Sequence, residues 1–180
     1  MSIMAEDANA PEQLPLELSH PHLKEFSQLL GEMHKESDRG QALISCSFID
    51  ELLRRTLLAF FKKGTDSTKL VEGFGAPLGS LSTRSAAAYS LGLITEEEFA
   101  ECKILRKIRN MFAHEIHISF KTEGVQKLCL KLKYRVKDYD SVVVNSQGQF
   151  MTSATALILN LTNRPFYVAK ERRQSTVWPY

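Results

Sequence analysis

The sequence lacks most of the features that would give a function away at once. No apolar run approaches the ~18 residues a membrane-spanning helix needs. The opening residues, Met1-Ser-Ile-Met-Ala-Glu-Asp7, have neither a basic stretch nor an apolar one, so no secretory signal is expected. Cys46, Cys102 and Cys129 lie far apart with no Cys-x-x-Cys, which excludes a disulfide framework and a zinc pattern and points to a reducing, cytoplasmic setting. Each falls on an apolar helix face, where a free thiol acts as a small hydrophobe. Glycine is densest in Gly73-Phe-Gly-Ala-Pro-Leu-Gly79, but no strand precedes it and no Lys-Ser/Thr ends it, so it is no phosphate loop. There is no strand–helix alternation and no internal repeat, which argues against an α/β fold. No cofactor fingerprint is present, and none is expected to be needed.

Charge is small overall and uneven. The formal net is +2, yet residues 1–38 hold eight acids against two bases and the remainder 21 bases against 13 acids. A basic body is open to nucleic acid or to an acidic partner, and equally to water alone.

The apolar positions recur at helical spacing. The expectation is an all-α, single-domain bundle of about six helices over residues 19–168. A mobile arm (1–18) should precede it and a polar, partly disordered tail (169–180) follow it. Ser19 and Pro21 suit a helix start. Asp38 with Gln41 reads as a capping box opening a long, central helix to Phe61, with Glu51–Arg55 and Asp50–Arg54 as i, i+4 pairs. A short helix is expected over 67–72, and another over 83–91, capped by Ser80 or Ser82 and closed by Gly92. Thr95 and Glu98 form a further capping box for a helix running to His114. Residues 122–133 suit a helix, and 134–144 a short strand or link. Ser146 and Gln149 cap a last long helix that Pro165 should interrupt.

One stretch carries the chemistry. Around the helix ending at His114, Ile104, Leu105, Ile108, Met111 and Phe112 share one side; Arg106, Asn110 and His114 form an i, i+4, i+8 ridge with Arg109 at its margin. Arginine holds phosphate by a forked contact and imidazole moves protons near neutral pH. Arg109 and His114 lie about 140° apart on one helix, so a shared target would need two such helices facing each other in a dimer. The alternative is a helix using these groups for surface or interhelix hydrogen bonds. Arg106 and Lys107 are candidate partner or nucleic-acid contacts. His114 and His117 lack a third metal ligand at fixed spacing. A helix-turn-helix over 83–114 is rejected, because its second helix opens with Glu96, Glu97, Glu98 and Glu101, which oppose a duplex.

Four blocks in order resemble the mannitol operon repressor family: Gly75-Ala-Pro-Leu-Gly79, Ser82-Thr-Arg84, Ala88-Tyr-Ser-Leu-Gly-Leu-Ile94 and Ile108-Arg-Asn-Met-Phe-Ala-His114. Ser45–Leu53 also fits, and Ala76 departs from the family's glycine. The resemblance spans about residues 38–130. It implies an all-helical bacterial cytoplasmic regulator, repressing sugar-alcohol uptake and catabolism genes, without an obvious DNA-binding motif and so through a protein partner. A looser resemblance is to HEPN domains, on Arg109, Asn110 and His114. It implies a dimeric, metal-independent ribonuclease or an RNA binder. Homodimer packing is expected from the Ala86–Ala88 face or the 104–112 apolar arc.

Overall fold

The computed structural model describes residues 23–139 and 142–179. The expected arm, Ser19 and Pro21 lie outside them. The described chain is an all-α bundle: α1 (Lys24–Met33), α2 (Asp38–Phe60), α3 (Thr65–Val71), α4 (Leu81–Ser90), α5 (Glu96–His114), α6 (Glu123–Cys129), α7 (Ser146–Thr162) and α8 (Arg164–Val168), then a 3-10 turn at Ala169–Glu171. Three of the eight described helices are seven residues or shorter, and the whole matches the expected all-α bundle of about six helices. Among the described residues the nearest thing to a strand is one antiparallel bridge between Tyr139 and Val142.

The central position of α2 follows from its broad apolar arc. It packs on α1, α4, α5, α7 and α8. Cys46, Ile49, Leu53 and Leu57 are fully buried along it, against Leu105, Ile108 and Phe112 of α5 and Phe150, Leu157 and Ile158 of α7. Most of the 104–112 arc serves the monomer's own core: Leu105, Ile108 and Phe112 have no exposure left for a second copy, while Ile104 and Met111 stay half-buried at its edge.

Two expected caps shift by one residue, in the same way. The N-cap of α2 is Ser37, whose Oγ accepts the Gly40 N–H; that of α7 is Asn145, whose Oδ1 accepts the Gly148 N–H. Gln41 and Gln149 then lie one position past a capping-box partner and turn back. Gln41 Nε2 donates to the Glu36 carbonyl and Gln149 Nε2 to that of Val144. The shared pattern is Ser/Asn-x-x-Gly-Gln, with glycine where a Cβ would meet Glu36 at 2.1 Å or Val144 at 3.0 Å. The Thr95–Glu98 box and the Ser80 cap form as expected.

The Asp50–Arg54 pair does not form. Asp50 instead meets Arg84 of α4 at 2.5 Å, while Arg54 binds Glu51 and Glu72. A buried partner in low dielectric outcompetes an i, i+4 neighbour nearer the surface, a pair worth only ~0.2–0.5 kcal/mol. Glu51–Arg55 forms as read. The helix over 122–133 is shorter, Glu123–Cys129. Pro165 does interrupt: α7 stops at Thr162 and α8 begins with the proline in its first turn. The segment expected as a tail starts folded, since Arg172 donates to the Leu58 and Phe61 carbonyls and the Arg173 N–H to Phe60.

Candidate functional site

The ridge of α5 is built by the core beneath it. Leu105, Ile108 and Phe112 fix the helix's rotation, so Arg106, Arg109 and Asn110 are half-buried at the margin and Lys107 and His114 exposed. The C-terminal end of α5 is held by Arg39 from the first turn of α2, which donates to the carbonyls of Phe112, Glu115 and Ile116. Those are orphan acceptors of a helix end, and a cation is favoured there.

The structure brings together only part of the sequence-derived set. Arg109 Nη1 donates to Asn110 Oδ1 at 3.1 Å. The Arg109 charge is also felt on α2, where it offsets part of the rise that burial imposes on Cys46 and Asp50. His114 stands a turn further on, at the helix end, with no partner among the described residues. Arg106 and Lys107 likewise carry no hydrogen bond or ion pair there. The ridge in one chain is thus an Arg109–Asn110 pair and a free outer strip of Arg106, Lys107 and His114.

Other charged groups are committed to the fold. Arg84, nine-tenths buried, donates to Asp50, Leu78 O and Val71 O. Burial pushes the Asp50 carboxyl above its ordinary range, opposed first by Arg84 and then by Arg109, while the neighbouring Glu51 charge adds to the rise. Its Oδ1 is buried with no hydrogen-bond partner among the described residues. Arg164 holds Glu98 and the Leu93 carbonyl. The thiols are inert as nucleophiles: burial lifts Cys46 and Cys129 to about 12 and raises Cys102 further still.

Two features escaped the sequence reading. Glu101 is fully buried and accepts from the Lys133 and Tyr134 N–H groups and the Ser153 hydroxyl. A signal existed, because Glu101 falls on the same stripe as Leu105, Ile108 and Phe112. The second is a half-open cavity of about 450 Å³ where α2 and α7 begin. Its walls include residues read only as caps.

No family model matches the chain, and no curated protein matches it. Among solved structures, it is similar to a chain of the X-ray structure of the MtlR–HPr complex from Escherichia coli. The two are 19% identical, with a TM-score of 0.56, over 79% of this chain and 97% of that one. At that identity the likeness establishes a shared all-helical fold. The sequence blocks quoted above map largely onto structural devices: Arg84 is the buried bridge, Ala88 is core, and Gly92 is the αL residue of a Schellman turn.

Proposed function

We propose that this protein is a non-enzymatic regulator of transcription that acts through protein contact, as a cytoplasmic homodimer, to lower expression of sugar-alcohol uptake and catabolism genes. One observation carries the reading: a fold shared with a chain of the MtlR–HPr complex coincides with four sequence blocks, in order, that resemble the mannitol operon repressor family. HPr, which that neighbour binds, is the first partner to test. The outer strip of α5 supports a contact role, since Arg106 and Lys107 are cations with no intramolecular partner among the described residues and suit an acidic surface. The ribonuclease reading draws less support, because Arg109 is paired with Asn110 while His114, at the helix end, shares no hydrogen bond with either among the described residues.

The test is a calorimetric titration of the purified protein with HPr from its native host, beside transcript measurement after gene deletion. The expected result is saturable binding, weakened about tenfold by Arg106→Glu with Lys107→Glu, and a raised sugar-alcohol operon transcript in the deletion. No binding together with an unchanged transcript defeats the proposal. Metal-independent RNA cleavage that is lost in His114→Ala moves the assignment to a ribonuclease.

A further inference from the structure

The cavity where α2 and α7 begin has a composition that selects a ligand. Asp38, the first residue of α2, uses Oδ2 to accept the Phe120 N–H at 3.1 Å; Asp138 uses Oδ1 to accept the Val144 N–H at 2.9 Å. Neither carboxylate has a cation within ion-pair distance among the described residues, and each keeps its other oxygen uncommitted. Gln149, 5% exposed, lines the same cavity with its Oε1 buried and unpartnered among the described residues. A buried acceptor without a donor is costly and marks a place where a donor is missing. Lys121 and Gln126 add donors on the opposite sequence segment, and Phe120 adds an aromatic wall.

Charge decides between ligand classes. Among the described residues, two carboxylates face one lysine and the N-termini of two helices longer than sixteen residues, each N-terminus worth roughly half a positive charge. The balance is close to zero. A dication would meet both helix termini, and a dianion both carboxylates. What fits is a neutral molecule that gives and receives hydrogen bonds at several points. The volume, about 450 Å³, lies within the ~300–1,000 Å³ typical of small-molecule sites. We propose that this cavity binds a small, neutral, polyhydroxylated compound, with Asp38, Asp138 and Gln149 as acceptors for its hydroxyls and Lys121 and Gln126 as donors to them.

Occupancy would be felt by both helices, because Gln147 Nε2 of α7 donates to Gln41 Oε1 of α2 at 2.9 Å beside the cavity. The proposal stands independently of the regulatory reading and of HPr.

The full chain is titrated by calorimetry with D-glucitol, 1,4-diaminobutane and succinate, each to about 20 mM, a range that reaches millimolar affinities. Saturable binding of glucitol is expected, weakened about tenfold in Asp138→Asn and in Gln149→Leu. Asp138→Asn keeps an acceptor for the Val144 N–H, so it remains informative if Gln149→Leu proves unstable by circular dichroism. It also separates a site from the general stabilisation polyols give by exclusion. Absence of saturable glucitol binding, equal affinity in Asp138→Asn, or saturation by the diamine or succinate in its place overturns the proposal.

Discussion

Glu101 has no exposure, and among the described residues no cation neutralises it; two backbone N–H groups and the Ser153 hydroxyl satisfy it instead. It thereby pins the turn after α6 to the middle of α5. Glu101→Leu strands both N–H groups, each at ~1–3 kcal/mol, so a loss of at least ~2 kcal/mol is expected in urea unfolding; a loss below ~1 kcal/mol counts against this role. Glu51 predicts a pH dependence. Hydrogen bonding from Arg54, then Arg55, holds its carboxyl down at about 2 against an ordinary 4.5. A depressed carboxylate contributes stability that is complete above pH 4.5 and is lost as pH falls toward 2. The group is about one-third exposed, so the contribution is on the order of 1 kcal/mol. Urea midpoints at pH 5 and 3 should therefore fall further apart in the parent than in Glu51→Gln; equal differences would refute the assignment. At this scale the sequence was only partly legible. The i, i+4 rule found Glu51–Arg55 but misassigned Asp50, because spacing along one helix says nothing about Arg84 arriving from another.

The helices depend on each other's ends. Four arginines, Arg39, Arg84, Arg164 and Arg172, donate to backbone carbonyls at or near helix ends of other elements. Arg172 reaches Leu58 and Phe61 at 3.0 Å each, closing α2 from 111 residues or more away in sequence. Arg172→Ala should cost ~1–2 kcal/mol, measured as a lower thermal midpoint, with α2 fraying from Leu58 in hydrogen exchange. Unchanged protection there would show that the C-terminal segment merely rests on the helix. Between α4 and α5, Gly92 sits at φ 71° and its neighbours make both Schellman bonds, Leu93 N–H to Ala88 O and Gly92 N–H to Tyr89 O. No atom lies within 4 Å of an added Cβ, so Gly92→Ala should cost ~1–2 kcal/mol from conformation alone. Helix bodies and this turn were readable because periodicity and glycine act locally. The one-residue errors at Ser37 and Asn145 arose where two cap-competent residues adjoin, and what decides between them is the glycine three places on, followed by a glutamine that turns back to the residue before the cap.

For the whole molecule, the three buried thiols offer a reporter of global opening. Native protein should leave all three unreactive toward an aromatic disulfide reagent, and denaturant should release all three together. Early reaction of one thiol would reveal local opening near it. The bundle itself was legible from composition and apolar spacing. The candidate sites were not: how deeply Arg106, Arg109 and Asn110 sit depends on how the helix is rotated against the core. The cavity exists only because two helix starts distant in sequence are brought side by side.

The arginine clamps also set how this sequence can drift. A guanidinium that spans two or three acceptors cannot be replaced by a lysine, whose point charge reaches one at a time. In a library of single arginine-to-lysine variants, positions 39, 84, 164 and 172 should be depleted under selection for folded protein, and position 106 should persist. Formal charge would be identical throughout that library. Distant descendants should thus conserve the kind of cation at the clamps while the surface exchanges lysine and arginine freely, and that contrast would trace the fold where overall identity has faded.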